Sequence, residues 1–327
     1  MLNDAWIIVV LIGQISALLL LALTLYFATP ILRYWNPASG SALQLELERK
    51  TFFVSSAVEY ILAFQAVIFV LFLIIVNHYL PRLINGAMCA SGILSLNEYG
   101  YPALYGKIAA LAAYLIFIFL NRLDLAEPAY PLTPTKYFLL PFLFWAALAD
   151  TVLTVRFFSL INPDVIATCC SISFSAAKIS VLSESPVTVS ISALLIAYYI
   201  LLVIYGYWGL KKKIAGLLLF LEFLLLPVSV FILKYHFVKY IYALPSHNCL
   251  FDLFFGRYYY IGYLLFGLLF ISAMAVIGLF LLNRLKKRFT KDLKNIQQNL
   301  RVAAMGGNLL FAIIIHLYWF YWKWIIL

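Results

Sequence analysis

Residues 5–29, AWIIVVLIGQISALLLLALTLYFAT, form an apolar run without a charged side chain. An α-helix rises about 1.5 Å per residue, so roughly 20 such residues cross the hydrocarbon core of a bilayer. The run exceeds the roughly 7–15 apolar residues of a cleavable signal, and no Lys or Arg precedes it. The sequence therefore predicts that this run remains in the protein as its first membrane span.

Seven further apolar runs follow, and the 327-residue chain is 65% hydrophobic and 11% charged. Its mean hydropathy is +1.00. Soluble domains are only about 45–50% apolar and about 25% charged. We therefore expect an all-α integral membrane protein with eight transmembrane helices in a single polytopic domain, residues 1–327. The predicted spans cover residues 5–29, 51–77, 102–121, 137–160, 187–209, 214–234, 258–283 and 302–323.

The basic residues predict the orientation of these spans. Fifteen of the 23 Lys and Arg residues lie in the loops after the first, third, fifth and seventh spans. Such residues accumulate in cytoplasmic loops, so both termini are predicted to lie outside, in a bacterial or archaeal cytoplasmic membrane. Residues 284–301 are predicted to form a basic amphipathic segment at the cytoplasmic surface. The net charge of +10 follows from this topology, and we expect the lipid bilayer and no nucleic acid as a partner.

A weak internal similarity joins the ends of the third and seventh spans. These ends read Asn121-Arg122 and Asn283-Arg284, and the two arginines follow Cys89 and Cys249 by 33 and 35 residues. An Asn-Arg pair at a membrane exit is common by chance. The alternative is a repeat of helical hairpins formed by spans two and three, four and five, and six and seven.

The four cysteines lie in polar breaks after the second, fourth and sixth predicted spans. They are Cys89, the adjacent pair Cys169 and Cys170, and Cys249. The predicted topology puts all of them on the extracytoplasmic side, where we expect their three loops to fold as a cap. Thiols in an oxidising compartment form disulfides, bind metals or carry out redox chemistry.

One interpretation is structural. Adjacent Cα atoms lie about 3.8 Å apart, whereas disulfides usually join Cα atoms about 4.4–6.8 Å apart. Cys169 and Cys170 are therefore expected to pair with Cys89 and Cys249 and not with each other. Such staples suit a non-catalytic anchor or scaffold subunit of a respiratory or transport assembly.

A second interpretation is thiol–disulfide exchange, with Cys169 and Cys170 as the exchanging pair and Cys89 and Cys249 as their partners. The arrangement is comparable with that of quinone-linked disulfide-forming membrane proteins, which also use four outer cysteines. This chain has no Cys-x-x-Cys motif and about twice as many spans. A quinone is the candidate cofactor, and a periplasmic redox protein or other membrane subunits are candidate partners.

A third interpretation is a soft-metal site. Thiolate and thioether sulfur favour copper or zinc over harder cations. Met88 adjoins Cys89, and His247 precedes Cys249 by two residues. The candidate metal ligands are Cys89, Cys169, Cys170, Cys249, His247 and Met88.

Each span that precedes a cysteine loop carries one carboxylate: Glu59, Asp150 and Glu222. Ionisable groups inside a membrane are costly and often functional. Lys107, in the third span, is a candidate counter-ion for one of them. These acids are predicted to form an intramembrane polar set that fixes helix packing by ion pairing or carries protons. Gln65 and His316 are further candidate members of the set.

The sequence therefore favours thiol-based redox or soft-metal chemistry at the extracytoplasmic face. The alternatives are the stapled scaffold subunit and a small-solute transporter that uses the intramembrane carboxylates.

Overall fold

The computed structural model describes residues 1–36, 39–127, 130–162, 190–211, 215–243, 249–289 and 293–321. Within these ranges the chain is helical and contains no strand. Eight of its helices are long and apolar enough to cross a membrane. The predicted all-α, multi-pass membrane fold is thereby confirmed, whereas its orientation stays a prediction.

The first four helices and the last are longer than the apolar runs that predicted them, and the other three are slightly shorter. They are Ala5–Tyr34 (α1), Ala42–Ile74 (α2), Gly100–Leu125 (α3), Thr133–Ser159 (α4), Ile191–Leu210 (α5), Ala215–Ile232 (α6), Ile261–Leu285 (α7) and Lys294–Tyr321 (α8). Two of them continue into a π-helical turn, Ile75–Tyr79 after α2 and Leu233–Phe237 after α6.

The chain forms two compact units. The N-unit contains α1–α4 and the C-unit contains α5–α8. The prediction of one polytopic domain stays a prediction.

In the N-unit, α1 packs against both α2 and α4, and α3 packs against α4. Asp4 caps α1, because its carboxylate accepts hydrogen bonds from the backbone N–H groups of Trp6 and Ile7. The buried ring of Phe72 on α2 contacts the rings of Phe157 and Phe158 on α4, edge to face. Aromatic and aliphatic packing therefore surrounds the polar groups described below.

In the C-unit, successive helices pack as neighbours: α5 on α6, α6 on α7 and α7 on α8. The first turns of α8 are tied down by polar contacts. Arg301 donates to the carbonyl of Gly209 at 3.1 Å, and Gln297 donates to Asn283 at 2.9 Å. Residues 294–301, predicted as part of a surface segment, are thus continuous with the eighth spanning helix.

The two units share an order of elements. In each, the second helix ends in a π-helical turn with a histidine, His78 or His236. An irregular segment that carries Cys89 or Cys249 follows, and then the third helix. Within the described ranges, the similar ends of α3 and α7 therefore recur with a period of four helices.

Two adjacent glycines in α8 test the packing of α7 on α8. A Cβ atom on Gly307 would lie 2.8 Å from the Leu268 carbonyl oxygen, whereas one on Gly306 would meet open space. We expect Gly307→Ala to lower the free energy of unfolding by about 1–3 kcal/mol, because the helices must move apart. Gly306→Ala should be neutral or slightly stabilising, because alanine favours the helix. Thermal unfolding in detergent measures both, and equal effects would contradict the packing.

Candidate functional site

The N-unit buries an ion pair between α3 and α4. Lys107 Nζ lies 3.1 Å from Asp150 Oδ1 and 3.2 Å from Oδ2. Gln14 on α1 donates to Oδ2 at 2.8 Å. The ammonium group also lies 5.0 Å from the centroid of the Phe72 ring. Asp150 therefore has a cation, an amide donor and an apolar wall, which together hold it as part of a neutral cluster.

This cluster lies well inside the membrane. Gln14 is nine residues after the start of α1, Lys107 is seven after the start of α3, and Asp150 is nine before the end of α4. At about 1.5 Å per residue these positions are about 10–14 Å from the helix ends. All three helix ends belong to the side predicted to be extracytoplasmic.

A second polar network joins the middle of α2 to the end of α3 and the start of α4. Glu59 on α2 accepts from Asn121 at 2.8 Å and pairs with Arg122 at 2.9 Å. Asn121 in turn accepts from Lys136 at 2.8 Å, and Lys136 pairs with Asp124 at 2.7 Å. The side chains of Lys136 and Asp124 are completely buried. Each carboxylate here has a cation, so the network is electrically balanced.

The C-unit contains a different polar centre, built around Glu222 on α6. Asn308 on α8 donates from Nδ2 to Glu222 Oε2 at 2.8 Å and to Ser272 Oγ on α7 at 2.7 Å. Ser272 donates onward to the carbonyl of Ala304 at 2.7 Å. The hydroxyl of Tyr205 on α5 lies beside Glu222 and Asn308. All four C-unit helices therefore contribute to one buried cluster.

This centre lies within the spanning helices, with Tyr205 five residues before the end of α5 and Glu222 seven residues after the start of α6. Asn308 lies 14 residues after the start of α8 and 13 before its end, and Ser272 lies 11 after the start of α7 and 13 before its end. Helical rise places both about 16–21 Å from either end. Among the described residues, no Lys, Arg or His forms an ion pair with Glu222.

The segment between α2 and α3 is folded, and it carries Cys89. Its Cys89 side chain is 1% exposed, and a short helix, Ala90–Leu94, begins directly after it. Asn77 in the π-helical turn accepts a hydrogen bond from the backbone N–H of Ala90 at 3.3 Å. Met88 is 66% exposed, so the two sulfur atoms occupy different environments.

Cys249 stands in the corresponding segment of the C-unit. It is partly buried and precedes a short 3-10 helix, Leu250–Phe254. The hydroxyl of Tyr242 donates to the Cys249 carbonyl oxygen. Asp252 in the 3-10 helix is buried and pairs with Arg257 at 3.1 Å. Cys169, Cys170 and His247, the other predicted site residues, lie outside the described residues.

Each of the predicted intramembrane acids has polar partners in the structure, and their joint action stays a prediction. Glu59 and Asp150 lie in separate networks of the N-unit, and Glu222 is the centre of the C-unit cluster. Lys107 is indeed a counter-ion, and its partner is Asp150. Nε2 of His316 forms a hydrogen bond of 2.6 Å with the hydroxyl of Tyr199.

Sequence reasoning missed the uncharged members of these centres: Gln14, Tyr205, Ser272 and Asn308. A signal was present for two of them, because Gln14 and Asn308 are carboxamides inside otherwise apolar runs. Ser272 and Tyr205 give no such signal, because hydroxyl groups are common in membrane helices.

Comparison of the chain with protein-family models, with curated proteins and with solved structures finds no match. A function must therefore be argued from the residues and their geometry.

The buried ion pair makes a testable contribution to the N-unit. Lys107→Met should lower the free energy of unfolding by about 3–5 kcal/mol, because it leaves Asp150 buried and unpaired. Asp150→Leu alone strands Lys107 with a similar effect, and the double variant should recover most of the loss. A double-mutant cycle of unfolding in detergent measures the coupling.

The exposed pair Glu46–Lys50, with an oxygen–nitrogen distance of 2.6 Å, is the matched control. Glu46→Gln should leave the free energy of unfolding almost unchanged, because exposed ion pairs contribute little. Additive effects of the Lys107 and Asp150 substitutions would contradict the assignment of a coupled pair.

Proposed function

We propose that this membrane protein carries out thiol-based redox chemistry, by disulfide or electron transfer, at an extracytoplasmic face of a bacterial or archaeal cytoplasmic membrane. One observation supports the proposal most directly. In both units a π-helical turn with a histidine is followed by a segment in which a cysteine begins a short helix. π-Helical turns inside longer helices are frequent at functional sites. A recurring His–Cys arrangement at such turns favours chemistry over simple anchoring.

The proposed roles follow the sequence. Cys169 and Cys170 are the exchanging pair, Cys89 and Cys249 are partner thiols, and His247 is a base that removes a thiol proton. The local structures of Cys89 and Cys249 suit different tasks. Cys249 is partly exposed and therefore accessible, whereas Cys89 is buried and shielded from adventitious oxidants.

The electron balance of disulfide formation requires an electron acceptor. Oxidation of two thiols to one disulfide releases two electrons and two protons. A quinone dissolved in the bilayer accepts both and leaves as a quinol, or a periplasmic disulfide accepts both and leaves as a dithiol. In the quinone route, Asp150, Glu59 and Glu222 are candidate proton carriers inside the membrane.

Soft-metal handling is the variant of this proposal that uses the same thiols. Thiolates from the four cysteines, with His247 and Met88, would hold copper or zinc. The exposed thioether of Met88 suits capture from solution better than a buried structural site. Elemental analysis of detergent-purified protein separates the variants, because a stoichiometric copper or zinc content is expected only for metal handling.

Thiol counting tests the redox proposal. The full chain in detergent is alkylated before and after mild reduction, and the modified cysteines are located by mass spectrometry. We expect Cys169 and Cys170 to change between alkylated and protected states under mild reductant and mild oxidant. A Cys169→Ser/Cys170→Ser variant should keep the helical fold and lose the reversible change.

Two disulfides that persist under mild reductant would instead support the stapled scaffold subunit. In that case the four cysteines would contribute stability, and the proposed exchange chemistry would be wrong.

A small-solute transporter is the second candidate function, favoured by Asp150 and Glu222, which are carboxylates buried at membrane depth. It predicts that a quadruple Cys→Ala variant retains activity and that Asp150→Asn abolishes it. Substrate-dependent uptake into proteoliposomes distinguishes this pattern from the redox proposal, in which the cysteine variant is the inactive one.

A further inference from the structure

We propose that Glu222 is an intramembrane proton-binding site, at which a carboxylic acid gives up and regains its proton with the hydroxyl of Tyr205 as its hydrogen-bond partner. The proposal concerns the C-unit alone and does not depend on the thiol chemistry proposed above.

The geometry of the Glu222 carboxyl group supports the proposal. Glu222 is 3% exposed, and Asn308 holds its Oε2 atom with a hydrogen bond of 2.8 Å. Its Oε1 atom is buried and has no hydrogen-bond partner among the described residues. The hydroxyl of Tyr205, which lies beside the carboxyl group, is likewise buried and without a partner in that part of the chain. The Tyr205 hydroxyl is therefore placed to accept a hydrogen bond from a protonated Oε1 or to donate one to an ionised Oε1.

The uncharged surroundings of Glu222 favour the protonated carboxyl group. The polar groups that face Glu222 are Tyr205 from α5, Ser272 from α7 and Asn308 from α8. All three are neutral at physiological pH, and no described cation forms an ion pair with Glu222. A carboxylate in hydrocarbon without a counter-ion is strongly disfavoured relative to the neutral acid. The resting state of Glu222 is therefore the carboxylic acid.

Asp150 in the N-unit shows the contrast. It is also a buried carboxyl group in a spanning helix, but Lys107 lies 3.1 Å away. In the resting state Lys107 balances the charge of Asp150, whereas Glu222 must carry its own neutralising proton.

The directions of the hydrogen bonds distinguish a proton-binding site from a site for a metal cation. A hard cation such as sodium or calcium needs several converging oxygen ligands. Here the amide NH₂ of Asn308 points at both Glu222 and Ser272, and the Ser272 hydroxyl is directed to the Ala304 carbonyl. Donor hydrogens directed into the site oppose a metal ion and stabilise a carboxyl oxygen. The cluster therefore suits a bound proton and not a metal cation.

The exchange step needs little movement. In the acid form, Glu222 Oε1–H donates to the Tyr205 hydroxyl oxygen. When the proton leaves to water, the Tyr205 hydroxyl rotates and donates to the carboxylate, while Asn308 keeps its bond to Oε2. One proton and one unit of charge are exchanged, and no other covalent bond changes.

Infrared difference spectroscopy of the full chain in lipid bilayers tests this inference. We expect a carbonyl band of a protonated carboxylic acid that shifts in D₂O and disappears in Glu222→Gln. Tyr205→Phe should move the band to higher frequency, because the carboxyl group loses a hydrogen bond. Asp150→Asn is the matched control and should leave the band unchanged, because Asp150 is ionised.

Persistence of the band in Glu222→Gln, or its loss in Asp150→Asn, would overturn the proposal. If the glutamine variant does not fold, the unaltered protein supplies a second measurement. A hydrophobic carbodiimide added to protein in mildly acidic detergent should modify Glu222 and spare Asp150, and the modification should fall as pH rises. An adduct at Asp150 but not at Glu222 would contradict the assignment. Thiol counting is independent of both measurements, so failure here leaves the redox proposal standing.

Discussion

The interior of a bilayer offers no water to a buried polar group, and this constraint governs how both units are held together. The helix itself pairs the backbone groups. Each polar side chain in a spanning helix must also find a hydrogen-bond partner, or it remains unsatisfied at a cost of several kcal/mol. The N-unit meets the requirement with two charged networks. The Asp150 cluster joins α1, α3 and α4, and the network from Glu59 to Asp124 joins α2, α3 and α4. Together these contacts fix all four helices.

The C-unit meets the same constraint differently. Glu222, Ser272 and Asn308 tie α6, α7 and α8 with hydrogen bonds and without a described cation. The close approach of Gly307 to Leu268 allows α7 and α8 to pack tightly around this cluster. Two polar atoms remain open, Glu222 Oε1 and the Tyr205 hydroxyl. Their position beside each other supports the proton-binding role proposed for Glu222.

Hydropathy was sufficient to predict the fold class and the eight spans, because apolar length is the main requirement of a membrane helix. It could not predict where the helices begin outside the hydrocarbon. Helix α2 begins at Ala42, whereas the predicted span begins at residue 51, because Ser41 caps the helix and polar turns precede the apolar run. The four-helix period also escaped prediction, since it depends on packing between helices and not on local sequence.

The candidate site was only partly predictable. Asp150, Glu222 and Lys107 were predicted as candidates because charged residues are rare in apolar runs. The sequence does not reveal which of the two acids forms an ion pair with Lys107. Packing decides that point, since Lys107 on α3 reaches α4 and leaves Glu222 with uncharged partners. The cysteines were visible from the start, and the structure adds that Cys89 and Cys249 follow equivalent π-helical turns in the two units.

In the proposed redox function, the thiols exchange electrons with a membrane-soluble acceptor. The most direct measurement mixes the fully reduced protein with a short-chain quinone and follows quinol formation and thiol loss together. The account predicts that two thiols disappear for each quinone reduced, and that Cys169→Ser/Cys170→Ser stops the reaction. Unchanged thiols and no quinol, with the protein folded and the quinone in excess, would contradict it.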